Sequence, residues 1–154
     1  MHDIAVGIWS LIKRLWKAFE PRAEERSLKI DWRLQDKLEI YSDVELLKMI
    51  TSNLLENSIS YSVEGSSIRV EARAASSNLN IVVENAVDGP EVSSENLEKF
   101  FDPFYRGDQS RAQEGNHAGI GLGFSREIVE LLGGTIKVSQ VSADRIAFEV
   151  SLPR

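Results

Sequence analysis

The chain has 154 residues, of which 42% are hydrophobic and 27% charged, and its formal net charge is −6. This length and composition predict one soluble globular domain with a single core, and the negative charge argues against nonspecific nucleic-acid binding. The absence of cysteine excludes disulfides, thiolate metal sites and cysteine nucleophiles. No apolar stretch reaches the roughly 20 residues that a membrane span needs, and the N-terminus does not match a secretory signal, so we expect no membrane contact by this chain.

An amphipathic stripe opens the chain. Its apolar residues recur at spacings of three and four, at Ile4, Ile8, Leu11, Leu15 and Phe19. This spacing predicts a helix that ends near Pro21. The helix could pack on its own domain or, because Trp9, Ile12 and Trp16 widen its apolar face, form a dimer with a missing partner. We expect residues 1–20 to be a separate helical segment and residues 21–154 to form the main domain.

The rest of the chain alternates between strand and helix patterns. Strands are predicted at residues 28–34, 66–74, 79–84, 135–142 and 145–152. A helix capped by Ser42 or Asp43 is predicted to run to about Tyr61, and further helices are predicted at residues 95–100 and 122–132. Residues 107–118 are polar and predict a mobile loop. The pattern favours an α+β fold, a two-layer sandwich with a mixed, mostly antiparallel sheet and helices on one face.

Four short motifs follow one another between Asn53 and Gly123. They are Asn53–Asn57, Val83–Asn85 continuing into Asp88-Gly89-Pro90, Phe101–Arg106, and Gly119–Gly123. The two asparagines lie four residues apart, so their amides share one helix face, and paired amide oxygens suit Mg²⁺ that is shared with phosphates. Glycines at the start of the last predicted helix would let backbone N–H groups approach phosphates. Asparagine pairs and glycine runs are common separately, and the fixed order of all four motifs is the informative feature.

This order resembles the N, G1, F and G2 boxes of the ATP-binding catalytic domain of sensor histidine kinases, a domain with the Bergerat-type fold of the GHKL superfamily. The resemblance implies that ATP and Mg²⁺ are the cofactors, that Asn57 is the metal ligand, and that Asn53, Asn57 and Arg106 serve catalysis. It also implies an ATP lid that contains the arginines. The nucleotide-binding residues that it implies are Asn53, Asn57, Tyr61, Asn85, Asp88, Gly89, Phe101, Phe104, Arg106, Arg111, Gly119, Gly121, Leu122 and Gly123.

The chain departs from the family pattern at two places. Ser60 occupies a position where the family usually has a lysine, so one phosphate-facing charge is absent. The Asp-x-Gly-x-Gly motif of the G1 box is altered, and two alignments are open, with either Asn85 or Asp88 as the residue that binds adenine. Asparagine can accept a hydrogen bond from the adenine amino group, but it replaces a charge-assisted bond with a neutral one, at a loss of about 1 kcal/mol. We therefore expect weakened ATP affinity.

The resemblance implies that a phosphoacceptor histidine lies on a dimerisation domain of the parent protein and that a response regulator acts downstream. The only histidines are His2 and His117, and neither has the expected sequence around it. We therefore expect residues 1–20 to be the tail of a dimerisation helix and the parent to be a homodimer. We expect the domain to be cytoplasmic, in a parent protein that could be anchored in the inner membrane.

A degenerate kinase domain that acts through protein contacts is the alternative. A gyrase-type ATPase is disfavoured because Asn53 cannot act as a general base.

Overall fold

The computed structural model of the protein describes residues 2–88, 101 and 121–154. Within these ranges the chain forms helices and strands in the following order: β1 Asp3–Gly7, α1 Ile8–Glu25, β2 Lys29–Leu34, β3 Glu39–Asp43, α2 Val44–Tyr61, β4 Ser67–Ala75, β5 Asn78–Ala86, α3 Gly121–Leu131, β6 Thr135–Ser142 and β7 Arg145–Pro153. The helix predicted at residues 95–100 and the loop predicted at 107–118 lie outside the described residues. None of the described helices is long and apolar enough to cross a membrane.

The main sheet has five strands in the order β2-β4-β5-β7-β6. β2 pairs with β4 in parallel, and the other three pairs are antiparallel. The helices lie on one face, as the T-shaped contact between Trp16 of α1 and Trp32 of β2 shows, with ring centroids 5.7 Å apart. The prediction of an α+β sandwich with a mixed, mostly antiparallel sheet is confirmed, although a separate antiparallel pair, β1 with β3, was not predicted.

Alternation along the strands builds the core. Residues of β5 that face the helices are fully buried, among them Leu79, Ile81 and Val83. Helix α2 supplies the central layer above them and contacts both α1 and α3. Its fully buried apolar residues are Leu47, Ile50, Leu54, Leu55 and Ile59. Because this stripe must face the sheet, it determines which residues of α2 point sideways toward α1 and α3.

The N-terminal prediction was wrong about where the helix begins. Residues Asp3–Gly7 form strand β1, and α1 starts at Ile8 and continues through Pro21 to Glu25. The expected boundary at residue 20 therefore falls inside α1. Ile8, Leu11, Ile12 and Trp16 of this helix belong to the same core cluster as α2 and the sheet. An origin of residues 1–20 as the tail of a dimerisation helix stays a prediction.

The ends of α2 and α3 follow from local side-chain and glycine chemistry. The carboxylate of Asp43 accepts hydrogen bonds from the backbone N–H groups of Leu46 at 3.0 Å and His2 at 3.1 Å. These bonds favour the ionised form and hold the pKa of Asp43 below its ordinary value of 3.8. Asp43 is therefore the N-cap that the sequence predicted. At the end of α3, Gly133 has φ of +83°, the left-handed conformation that favours glycine at a helix C-terminus.

Burial of α1 predicts the effect of a mutation. Ile12 is fully buried, so Ile12→Ala should lower the free energy of unfolding by about 2–5 kcal/mol through lost burial and a residual cavity. Lys17→Ala, on the exposed side of the same helix, should change it by less than about 0.5 kcal/mol. Urea denaturation followed by circular dichroism measures both. An Ile12→Ala variant as stable as the parent protein would show that α1 is not part of the cooperative folding unit.

Candidate functional site

Helix α2 places Asn53 beside α3. The Nδ2 amide of Asn53 donates a hydrogen bond to Oγ of Ser125 at 3.1 Å, and Ser125 is fully buried. The bond joins α2 to α3, and its two residues are 72 positions apart in the sequence. Asn53 is therefore held against α3, the helix that begins in the glycine motif, as the predicted site requires.

Asn57 lies one turn further along the same face of α2. Its Nδ2 atom is buried and has no hydrogen-bond partner in the described part of the chain. A buried donor left without an acceptor costs about 1–3 kcal/mol. The position therefore suits a ligand that presents an oxygen acceptor, while the neutral amide oxygens of Asn53 and Asn57 are of the type that Mg²⁺ accepts.

Asn85 is a polar residue inside the core. It lies in β5 between Ile68 of β4 and Ile146 of β7, and its side chain is fully buried. The Nδ2 group donates to the carbonyl oxygen of Ala86 at 3.1 Å. The Oδ1 atom is buried and accepts no hydrogen bond from the described residues. Asp88, the other candidate for binding adenine, is exposed just beyond the end of the strand.

Behind Asn85, on the opposite face of the sheet, an ion cluster surrounds Glu84. Its Oε1 lies 2.6 Å from Nη2 of Arg69, and its Oε2 lies 2.6 Å from Nε of Arg145. The Glu84 side chain is only 10% exposed, so these short charge-assisted bonds are shielded from solvent. Because successive strand residues point to opposite faces, the cluster holds β5 in the orientation that turns Asn85 toward the helices.

Phe101 and α3 form another wall of the site. Phe101 is buried and meets Phe148 of β7 edge-on, with ring centroids 6.2 Å apart. The guanidinium carbon of Arg126 lies 3.9 Å from the Phe101 ring centroid, a cation–π contact. Gly121 is the first residue of α3, and Leu122 after it is buried. Gly123 lies in the same first turn, so the described part of the glycine motif is at the helix N-terminus as predicted.

The C-terminal end of α2 contacts α1. Tyr61 is the last residue of α2 and is buried. One residue earlier, Oγ of Ser60 accepts a hydrogen bond from Nη2 of Arg22 at 3.1 Å. Nη1 of Arg22 also lies 3.7 Å from Oε1 of Glu56. A guanidinium from α1 therefore lies beside Ser60, where the sequence had indicated a missing charge.

The structure brings several predicted site residues to the same side of the domain. Asn53, Asn57 and Tyr61 share α2, Asn85 is the second-last residue of β5 below it, and Gly121 and Leu122 begin α3 beside it. Five predicted residues lie outside the described part of the chain. They are Gly89, Phe104, Arg106, Arg111 and Gly119. Their roles, like those of the other site residues, stay predictions.

Sequence reasoning missed three residues that contact this site. Ser125 bonds Asn53, Arg126 stacks on Phe101, and Arg22 bonds Ser60. Ser125 and Arg126 come two and three residues after Gly123, the last glycine of the motif, so their positions in the helix were a usable signal. Arg22 carries no comparable signal, because it lies 38 residues before Ser60 and only the packing of α1 on α2 brings them together.

Comparison with known proteins identifies the family. The model of the histidine kinase-, DNA gyrase B- and HSP90-like ATPase family matches residues 42–154. The sensor histidine kinase CusS of Escherichia coli strain K12 is 32% identical over 142 residues. That match covers 92% of this chain but only 29% of CusS, so the chain spans less than a third of its relative's length.

Solved structures show the same fold. The catalytic domain of the histidine kinase ThkA, in a nucleotide-free form, superposes with a TM-score of 0.85 at 21% identity, over 99% of this chain and 96% of that one. ThkA in complex with the response regulator protein TrrA gives a TM-score of 0.80 at 22% identity, covering 98% of this chain and 41% of that one. The likeness to sensor histidine kinases expected from the four motifs is thus confirmed, and the chain belongs to the histidine kinase-, DNA gyrase B- and HSP90-like ATPase family.

Proposed function

We propose that this chain is the catalytic domain of a two-component sensor histidine kinase, which binds Mg-ATP and supplies the γ-phosphoryl group to a histidine on a dimerisation domain of the parent protein. The observation that carries the proposal is the buried Oδ1 atom of Asn85, an acceptor with no partner in the described residues. It lies inside a domain whose sequence relatives are sensor kinases. A ligand with an N–H donor would complete the hydrogen bonding of this atom.

Adenine has the donor that Asn85 needs. The exocyclic amino group would donate to Oδ1, as adenine does when asparagine binds it in DNA. Asn85 Nδ2 is already bonded to the Ala86 carbonyl, which holds the amide in the orientation that presents Oδ1. Asp88 is exposed at the end of the strand, so its placement favours Asn85 over Asp88. The buried ring of Tyr61 is the residue that we propose against the adenine face.

The phosphates would lie along the polar face of α2, the side of the helix that carries Asn53 and Asn57. In the described part of the chain the buried Nδ2 of Asn57 has no acceptor, and a phosphate oxygen would satisfy it. Among the described residues no group of three or more acidic, histidine or cysteine side chains could hold a metal by itself. The amide oxygens of Asn53 and Asn57 therefore fit an ion whose remaining ligands are phosphates and water. Mg²⁺, when bound there, would supply neutralisation of the phosphate charge.

The residues of this chain would bind and orient ATP without forming a covalent bond to it. In the transfer, a histidine nitrogen of the dimerisation domain forms a bond to the γ-phosphorus of ATP. The bond between the γ-phosphorus and the oxygen that bridges it to the β-phosphate breaks, and ADP leaves with that oxygen. Catalysis of this kind depends on positioning and charge stabilisation. We assign positioning to Asn53 and Asn57, and stabilisation of the phosphoryl charge to the predicted lid residues Arg106 and Arg111.

We also propose the partners that this reaction requires. The acceptor is a dimerisation domain of a homodimeric parent, and the downstream partner is a response regulator, which accompanies the structural relative ThkA in one solved complex. The domain would work in the cytoplasm, attached to a parent protein with its anchor in the inner membrane. A degenerate domain that acts through protein contacts would bind nucleotide weakly or not at all, so the affinity measured in a titration with Mg-ATP distinguishes the two functions.

Calorimetric titration of Mg-ATP into the chain tests the nucleotide site. We expect micromolar binding in the parent protein. Asn57→Ala should weaken it at least about tenfold, because the variant loses both a phosphate hydrogen bond and a metal ligand. Asn78→Ala is the matched control, since Asn78 lies at the far end of β5 and bonds Ser151. Absence of binding up to millimolar Mg-ATP would refute the kinase function and leave a domain that acts through protein contacts.

Asn85 should determine the choice of base. GTP carries a carbonyl oxygen where ATP has the amino group, so we expect the parent protein to bind ATP more tightly than GTP. Asn85→Ala should weaken ATP binding by about 1–3 kcal/mol and leave GTP binding unchanged. Competition titrations with the two nucleotides measure this, with thermal unfolding as the control for folding. If the Asn85→Ala variant still bound ATP more tightly than GTP, Asn85 would not be the residue that binds adenine.

A further inference from the structure

The polar face of α2 includes a third residue. Ser60 follows Asn53 by seven positions and Asn57 by three, so all three side chains lie along one stripe of the helix. The last turn of α2 contains no basic residue. The two asparagine amides on this stripe would offer hydrogen bonds to a phosphate but no positive charge, and Ser60 itself is only 2% exposed.

Helix α1 brings a charge to this stripe. Nη2 of Arg22 donates to Oγ of Ser60 at 3.1 Å, and Nη1 lies 3.7 Å from Oε1 of Glu56. The Arg22 side chain is 36% exposed. A guanidinium has five N–H donors, and the contacts to Ser60 and Glu56 do not use all of them. As far as residues 2–88, 101 and 121–154 show, the group is held beside the stripe and still has donors for an anion.

The neighbouring Arg26 has a purely structural role at the contact between the end of α1 and the end of α2. Its Nη1 donates to the carbonyl oxygen of Ile59, and its Nη2 donates to that of Ser62 at 2.7 Å. Arg26 thus binds the backbone at the end of α2 with both terminal nitrogens. Arg22 is not needed for that connection, because its partners are a hydroxyl group and a more distant carboxylate.

We propose that Arg22 binds the phosphate groups of the nucleotide and supplies, from α1, the positive charge that α2 lacks at Ser60. This assignment rests on the proposed function, because it needs a nucleotide on the polar face of α2. Arg22 is a binding residue that the four sequence motifs do not contain. The Ser60 hydroxyl positions it, and the Asn57 amide on the same stripe, which lacks an acceptor among the described residues, marks where the anion lies.

Glu56 does not prevent this role. At 3.7 Å, with side chains 36% and 31% exposed, the Arg22–Glu56 pair is a surface ion pair, a type of interaction that contributes little to stability. A triphosphate carries more negative charge than one carboxylate and accepts bidentate hydrogen bonds from arginine. Exchange of Glu56 for a phosphate oxygen is therefore favourable when the nucleotide binds.

Titrations of Mg-ATP and of adenosine into four proteins test the assignment. The proteins are the parent chain, Arg22→Ala, Ser60→Lys and the Arg22→Ala/Ser60→Lys double variant. Arg22→Ala should weaken Mg-ATP binding about tenfold or more, as expected for a lost charge-assisted bond, and should leave adenosine binding unchanged. In the double variant, a lysine on α2 should restore most of the lost affinity for Mg-ATP.

Two control variants separate a phosphate contact from a structural role. Lys17→Ala removes the same charge from the exposed side of α1 and should not change Mg-ATP affinity. Glu56→Gln removes the ionic partner and keeps the guanidinium, so it should leave Mg-ATP affinity equal or higher. If Arg22 only joined α1 to α2, Arg22→Ala would lower the affinities for adenosine and for Mg-ATP together, and that result would overturn the assignment.

Different titration results would refute the role of Arg22 and the proposed kinase function. A parent chain that binds Mg-ATP while Arg22→Ala binds it equally well would refute the role of Arg22 and leave the kinase function intact. Equal loss of adenosine and Mg-ATP in Arg22→Ala, with a lowered melting temperature, would also refute it, because the damage would then be to the fold. A parent chain that binds neither ligand would refute the proposed function and, with it, this assignment.

Discussion

The rotational setting of helix α2 is the constraint on which the rest of the site depends. Its buried stripe, which includes Leu54, Leu55 and Ile59, must face the sheet, and a helix oriented by such a stripe has no freedom to turn. The asparagines then point toward α3 and the site, while the last turn meets α1. Apolar packing, which has no chemical role in nucleotide binding, thus decides where the polar groups lie. The bond from Asn53 to Ser125 adds a specific polar link to this arrangement.

Two adjacent polar residues of β5, Glu84 and Asn85, lie on opposite faces of the sheet. Glu84 and Asn85 are adjacent on β5, yet one is bound by two arginines on the outer face and the other is buried beneath the helices. Breaking one of those partly buried ion contacts would leave charge without its partner and loosen the strand that carries Asn85. The cluster around Glu84 lies across the sheet from the helices, and its contribution to the site is to keep an amide oriented in an apolar surrounding.

Sequence patterns predicted the parts of the fold whose signal is local. The alternation in β4, β5 and β7 and the cap at Asp43 each depend on a few consecutive residues, and the structure has them. Strand β1 was missed because its Ile4 continues the helical spacing of α1 by coincidence, while only Val6 of the strand is buried. The motifs indicated Asn53, Asn57 and Asn85. Arg22 was not predictable, because its position beside Ser60 follows from helix packing between distant segments.

The parallel pairing of β2 with β4 has a consequence for how the domain folds. The chain between these two strands contains β3 and all of α2, so the pair cannot form until that long connection has closed. The β4–β5 and β6–β7 hairpins need only short turns and can form early. Contacts between distant segments slow folding because loop closure costs entropy before the contact stabilises anything. We therefore expect the β2–β4 pair to form after these two hairpins, once α2 is in place on the sheet.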